Sequence, residues 1–115
     1  YGIPKDDPNR EKIMEEALKN ACTVPMDIMR ACCRAIELHE ELAEKGSALA
    51  LSDVGVGVAF CKSALMGASL NVFINTKSMV DREYAASIEK EADEMLEKYC
   101  KLADSIYDSV VKRLR

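Results

Sequence analysis

Five polar residues border one apolar segment of the chain, and their types are those of a small-molecule site. Ser52 and Asp53 precede the segment, and Asn71, Asn75 and Lys77 lie at its far end. A carboxylate can take up a proton or accept two hydrogen bonds, an amide both donates and accepts, and a lysine attracts an anion. Residues of these types at the two ends of an apolar segment suggest a site for a small molecule.

The spacing of these residues limits what one chain can do with them. On a helix, Asp53 and Asn71 are five turns apart and therefore share a direction, but they stand about 27 Å apart along the axis. One small ligand cannot touch both within a single chain. Two such helices packed antiparallel would bring the Asp53 end of one against the Asn75 end of the other, where Ser78 is also close.

Each of these residues also has a purely structural interpretation. Ser52 or Asp53 can cap the start of a helix, and Asn75 can mark its end. Lys77 can be a surface charge. From the residues alone, these alternatives stay open beside the functional ones.

Metal chemistry is not indicated by the cysteines and the histidine. The five cysteines include no Cys-x-x-Cys pair, and they read as reduced, cytosolic thiols. His39 follows Cys32 by seven residues and so lies near it on one helical face, but zinc needs three or four ligands. We therefore expect no metal and no cofactor.

The totals indicate one globular domain covering residues 1–115. Hydrophobic residues make up 49% of the chain and charged residues 31%, and the formal charge is −4. This charge gives no reason to expect nucleic acid as a partner. We see no apolar run that would span a bilayer, so we expect no membrane partner. The chain begins with Tyr1 rather than Met, which suggests a processed or truncated product.

Long helices are expected throughout, because the chain has three prolines and five glycines and none of either after Gly67. The first helix is expected to start at Asp7-Pro8 and end near Thr23. The second runs from Pro25 to about Lys45, followed by Gly46, and its expected buried residues are Met26, Met29, Cys33, Ile36 and Leu42. The fold class is all-α, a bundle of long helices.

The stretch "SDVGVGVAFCKSALMGASLNVFINTKS", residues 52 to 78, has features of both a strand and a helix. A single strand would have nothing to pair with, so a helix explains more. Small residues then recur every four positions, at Gly55, Ala59, Ser63 and Gly67, and make a stripe on which another backbone can lie closely. Large apolar residues pack elsewhere on the same helix: Val56, Phe60 and Leu70.

A fourth helix is expected after Ser78, where Ser-Met-Val-Asp resembles a capping box. Its apolar stripe reaches almost to the C-terminus over about 50 Å, through Tyr84, Ile88, Met95, Tyr99, Leu102, Ile106 and Val110. A helix of this length overhangs a domain of this size. Together with the small-residue stripe, it predicts a homodimer or a larger assembly.

The order of three pieces resembles a known family. They are the helix entry at Val24-Pro25, "SDVGVG" from Ser52 and "LNVFINTKS" from Leu70. The chain from Tyr1 to about residue 100 is similar to the C-terminal half of the domain shared by formiminotransferase-cyclodeaminases and stand-alone methenyltetrahydrofolate cyclohydrolases. That domain has an N-terminal half with a glycine-rich segment, and nothing in this chain corresponds to it.

The resemblance implies a helical, dimeric, cytoplasmic domain that binds a tetrahydrofolate derivative as substrate. The implied reaction is hydrolysis of 5,10-methenyltetrahydrofolate to 10-formyltetrahydrofolate, with formiminotetrahydrofolate cyclodeamination as the alternative. Both reactions need a proton-transferring group and fixed hydrogen-bond donors, and neither needs a metal. An interpretation of another class is a non-enzymatic helical interaction module built on the fourth helix.

The resemblance also assigns roles to the polar residues. Asp53 is implied to be the proton-transfer carboxylate or an acceptor for the amino and ring N–H groups of the pterin. Ser52, Asn71 and Asn75 are implied to hydrogen-bond the substrate, and Lys77 to attract its glutamate tail.

Overall fold

The computed structural model describes residues 9–46 and 48–115, and within the third helix the side chains from residue 50 onward. The described residues form four helices and no strand: α1 Arg10–Ala21, α2 Thr23–Lys45, α3 Ala48–Thr76 and α4 Arg82–Leu114. The prediction of an all-α bundle of long helices is confirmed. The molecule measures 63 × 25 × 18 Å, so its long helices set its shape.

The first two helices differ slightly from the predicted bounds. The predicted start of α1 at Asp7-Pro8 lies outside the described residues, and the helix ends at Ala21. The second helix already begins at Thr23, which places Pro25 within its first turn, where a missing N–H does no harm. Its predicted end at Lys45 is confirmed. Gly46 follows with φ −77° and ψ 153°, so it ends the helix in an extended conformation.

The third helix begins earlier than the polar residues suggested. It starts at Ala48, which makes Asp53 its sixth residue and leaves Ser52 and Asp53 inside the helix. The expectation that either residue caps α3 is therefore wrong. The reason is local: alanine and leucine occupy positions 48 to 51, and both favour helix strongly enough to extend it past the polar pair.

The turn between α3 and α4 is held by side chains rather than by the predicted capping box. Asp81 is the N-cap of α4 and accepts a hydrogen bond from the Tyr84 N–H at 3.0 Å, so Ser78 is not the cap. The Arg82 guanidinium donates to the carbonyl oxygens of Thr76 at 2.8 Å and Met79 at 3.0 Å. It thereby ties the carbonyl of the last residue of α3, which has no helical partner, to the turn that follows.

The core lies where α2, α3 and α4 pack together, and α1 contributes no fully buried residue of its own. Its largest completely enclosed side chains are Met29, Ile36, Leu51, Val58, Leu65 and Val72. Leu42, which we expected in the core, is 54% exposed. The α2 face that packs includes Cys32 and Ala43 instead.

The third helix is apolar on both sides, and the described part of the chain covers one of them. Val56, Phe60 and Leu70 were expected to pack elsewhere within the domain, but they are 56%, 72% and 69% exposed. These three residues point away from the side of α3 that carries the fully buried Val58, Leu65 and Val72. Part of α3 therefore has the composition of a buried helix and finds no covering partner among residues 9–46 and 48–115.

The expectation that no apolar run could span a bilayer is also wrong. The 27 residues Ala50–Thr76 are long and apolar enough to do so by length and composition alone. The segment nevertheless contains Asp53 and Lys62, and one of its faces is packed into the bundle core. A helix that packs into a protein core on one side can meet the same criterion.

Candidate functional site

Asp53 lies on the first half of α3, at the edge of a cavity of about 210 Å³ between the end of α2 and the beginning of α3. The cavity is otherwise lined by His39, Leu42, Gly46, Ala50 and Val54. The Asp53 side chain is exposed, so its carboxylate is reached from solvent. A ligand in this cavity would meet one carboxylate and one imidazole on otherwise apolar walls.

His39 is the residue of this cavity that the sequence did not connect with Asp53. Its Nδ1 lies 2.6 Å from the carbonyl oxygen of Ala35. Because a carbonyl only accepts hydrogen bonds, Nδ1 carries the hydrogen in the neutral ring and Nε2 is left as the acceptor. The ring packs against α3 at Gly57, where an added Cβ would overlap Nε2 and lie 2.9 Å from Cδ2. The glycine thus admits the imidazole beside the helix that carries Asp53.

Ser52 faces a different and larger space. It lines an open groove of about 510 Å³ between the first half of α3 and the last turns of α4. The walls are mostly apolar, with Val56 and Phe60 on one side and Tyr107 and Leu114 on the other. A groove of this kind fits an apolar or aromatic group far better than a charged one.

The other three predicted site residues lie at the far end of α3. Asn71 is exposed, and its carbonyl oxygen accepts a hydrogen bond from Asn75 Nδ2 at 2.7 Å. Asn75 lies in the last turn of α3, which ends at Thr76. Its side-chain oxygen and its second amide N–H are left for another partner. Lys77 is exposed just past the helix end at Thr76. The C-terminal end of α3 thus carries two amides, with a cation just beyond it.

The two polar groups do not meet within one chain. Asp53 and Asn71 both lie on the continuous helix α3, eighteen residues and therefore about 27 Å apart. The spacing predicted this separation, and the structure leaves it unchanged. The chain thus presents an acidic end and an amide end, each incomplete as a site for a ligand that needs both.

The cysteines are packing residues in this structure. All five are free, and Cys22, Cys32 and Cys33 are buried. Burial raises the pKa of the Cys33 thiol to about 11, which keeps it protonated and unreactive at neutral pH. Among residues 9–46 and 48–115, no three His, Cys, Asp or Glu side chains converge on a point where a metal could bind.

The fold and the site together define a class: a helical bundle protein whose longest apolar helix presents polar residues at both ends and an uncovered face between them. Residues 1–94 match the family described as formiminotransferase-cyclodeaminase. The chain belongs to that family, and the resemblance seen in its sequence is confirmed.

Two named relatives illustrate the range of this family. The chain is 36% identical to a methenyltetrahydrofolate cyclohydrolase of Methylorubrum extorquens, over 99% of this chain and 57% of that protein. It is 32% identical to a formimidoyltransferase-cyclodeaminase of Dictyostelium discoideum, over 83% of this chain and 18% of that protein. The chain therefore spans little more than half of the bacterial relative and a small part of the other.

Proposed function

We propose that the natural protein carrying this chain acts in folate one-carbon metabolism and hydrolyses 5,10-methenyltetrahydrofolate to 10-formyltetrahydrofolate. The observation that carries the proposal is the similarity to the Methylorubrum extorquens cyclohydrolase, which extends over 99% of this chain. The accessible carboxylate of Asp53 beside an apolar cavity supplies a group that the reaction needs.

Asp53 has a definite task in this reaction. Its carboxylate takes a proton from the attacking water as the new C–O bond forms at the methenyl carbon. The C–N5 bond then breaks, N5 is protonated, and one proton is released overall. The alternative role of the same carboxylate is to accept hydrogen bonds from the amino and ring N–H groups of the pterin.

The remaining polar residues bind substrate in this proposal. Ser52, Asn71 and Asn75 hydrogen-bond the folate, and Lys77 attracts the carboxylates of its glutamate tail. The protein works in the cytoplasm as a homodimer, without a metal or another cofactor. Support for the dimer comes from the uncovered apolar face of α3, where Phe60 is 72% exposed.

The alternative enzymatic function is formiminotetrahydrofolate cyclodeamination. It is favoured by the names of several relatives, which are formimidoyltransferase-cyclodeaminases. In that reaction N10 attacks the formimino carbon and ammonia leaves, through a tetrahedral carbon held between the same two nitrogens. The same acid–base group serves both reactions.

The experiment measures both activities on the complete natural protein. Loss of methenyltetrahydrofolate absorbance, corrected for the spontaneous reaction, reports hydrolysis, and ammonia release from formiminotetrahydrofolate reports deamination. Hydrolysis without ammonia release is the expected result. Neither activity, together with no binding of a tetrahydrofolate derivative, would leave a non-enzymatic helical interaction module as the better description.

A further inference from the structure

The cavity beside Asp53 contains a second group that can transfer a proton. Among the described residues that line this cavity of about 210 Å³, Asp53 and His39 can gain or lose a proton. An imidazole changes its charge in the neutral pH range, whereas a carboxylate is ordinarily an anion there. One cavity therefore combines an anionic base with a group that can act as an acid.

The imidazole of His39 is held in one orientation by contacts on two sides. Its Nδ1 donates to the carbonyl oxygen of Ala35 at 2.6 Å, so Nε2 is the atom that takes up and gives back the exchangeable proton. The ring is half-buried and its Nε2 is turned to α3, since an added Cβ at Gly57 would meet Nε2 before any other ring atom. A ring fixed in this way needs little reordering before it reacts.

The Nε2 atom of His39 lies one helical turn from Asp53 along α3. Asp53 and Gly57 are four residues apart on this continuous helix, so they share one side of it, about 6 Å apart. Because Nε2 lies against Gly57, the carboxylate and the imidazole border the cavity from neighbouring turns. A base and an acid each act over about 3 Å, so a reacting group of the substrate fits between the two.

The size and walls of the cavity suit the reacting part of a ligand. Pockets that enclose a whole drug-sized molecule have volumes of about 300–1,000 Å³, so this one admits a ring of the substrate rather than all of it. The remaining walls are formed by Leu42, Gly46, Ala50 and Val54. Their side chains are apolar or absent and therefore do not compete with His39 and Asp53 for a proton.

We propose that His39 is the general acid of the hydrolysis and Asp53 its general base, a role that rests on the proposed function. Water loses a proton to Asp53 as its oxygen bonds to the methenyl carbon. When the C–N5 bond breaks, its electron pair stays on N5, and N5 takes the proton of Nε2. The hydroxyl proton of the tetrahedral intermediate passes to Nε2 as the carbonyl forms, and Asp53 releases its proton to the solvent.

The charged groups around the ring agree with this division of roles. From α3, the Asp53 carboxylate borders the same cavity, and an anion there favours the imidazolium that must donate. From α4, the Arg113 guanidinium reaches this end of α2 and donates to the carbonyl oxygen of Ala43 at 2.6 Å. An arginine stays charged throughout, so it adds no titration of its own. Two titratable groups in one cavity can then serve as separate acid and base.

The experiment compares His39 variants of the complete natural protein over a range of pH. His39→Gln keeps a polar side chain that cannot carry the proton, and His39→Ala removes the ring. Both should lower kcat for methenyltetrahydrofolate hydrolysis by about 10²-fold. The wild-type kcat should fall as rising pH removes the imidazolium proton, and this fall should be absent from both variants. Glu40→Ala, at the exposed neighbouring position, is the matched control and should keep the wild-type rate and pH profile.

Further measurements separate a chemical role of His39 from a packing role. Free imidazole added to His39→Ala should restore part of the rate without changing the urea midpoint of unfolding. A variant that loses rate only in proportion to stability, and keeps the decline at high pH, would make His39 a packing residue and overturn the proposal. Wild-type kinetics in His39→Gln would also overturn it and leave the proposed function standing. A wild-type protein that does not hydrolyse methenyltetrahydrofolate would overturn both.

Discussion

Asp53 is the residue on which the proposed chemistry depends, and its position allows a clean test. It lies inside α3 and is exposed, so Asp53→Asn removes neither a helix cap nor a core contact. The two residue types have similar helix propensities, so thermal unfolding should change little. Hydrolysis should fall by about 10²–10⁴-fold if the carboxylate takes up the proton.

The binding role of Asp53 predicts a different pattern for the same variant. An amide has one acceptor oxygen where a carboxylate has two, so the variant would make fewer hydrogen bonds to the pterin and KM would rise. Steady-state kinetics that separate kcat from KM distinguish the two roles. Unchanged kinetics with unchanged melting would remove Asp53 from the site.

Asp81 is predicted to make stability depend on pH in the acid range. The Tyr84 N–H, and then the Lys19 ammonium at 3.0 Å, lower the pKa of this carboxyl. A carboxyl whose pKa is lower in the folded state stabilises the fold above its unfolded pKa of about 3.9. That stabilisation is lost as the pH falls through the folded pKa.

The Asp81→Asn variant provides the measurement. Asparagine still caps the helix but carries no charge, so it removes the titration and keeps the cap. Urea midpoints from pH 7 down to pH 2 should show the wild type more stable at neutral pH, with the difference shrinking as the pH falls below about 4. A difference that stays constant with pH would contradict the assignment.

At the scale of helices, the contact between α2 and α3 depends on the missing side chain of Gly57. A Cβ there overlaps the His39 ring, which the Ala35 carbonyl holds in place. Gly57→Ala should therefore destabilise the fold by about 1–3 kcal/mol through overpacking, in spite of its better helix propensity. Chemical denaturation measures the loss.

Two further variants make this prediction specific. Adding His39→Ala to Gly57→Ala removes the overlapping ring and should recover most of the stability. Gly67→Ala meets nothing within 4 Å and should stabilise the monomer by about 0.5–1 kcal/mol. Equal losses at Gly57 and Gly67 would show that the His39 contact has no special importance.

Helix type and order were predictable from the sequence, but helix starts were less so. The scarcity of glycine and proline and the apolar spacing fix four long helices. Where a helix starts depends on which of several polar residues is the N-cap, and neighbouring residues decide this. The alanines and leucines before Ser52 are already helical, so α3 starts ahead of it. At α4 the N-cap is Asp81 rather than Ser78. For a helix that is apolar on both sides, residue spacing cannot show which side is covered. Phe60 was expected to pack but is exposed for that reason.

The positions of the site residues along α3 followed from helix geometry, whereas the tertiary partner of Asp53 did not. His39 lies on another helix and reaches the same cavity only because α2 and α3 pack at Gly57. No spacing within one helix carries that information.

At the scale of the whole molecule, chelators are expected to leave the protein unchanged. The described residues, 9–46 and 48–115, contain no cluster that could hold a metal, and the proposed reaction runs on proton transfer. Thermal unfolding and hydrolysis should be the same before and after EDTA treatment. Stoichiometric zinc in the purified protein, lost together with activity on chelation, would contradict this.

Assembly is the last property that the uncovered apolar face of α3, with Val56, Phe60 and Leu70, should control. Phe60 is 72% exposed in the single chain, so Phe60→Asp removes little from the core of the monomer. In a two-fold dimer the change occurs twice, and burying two carboxylates in an apolar interface should weaken association by about 10²–10³-fold. Sedimentation velocity over a range of protein concentrations measures this shift. Leu38→Asp is the matched control, because this leucine is 59% exposed but lies on α2, and it should leave association unchanged. Equal effects of the two substitutions, or a wild-type protein that stays monomeric at micromolar concentration, would exclude this face of α3 as a dimer interface.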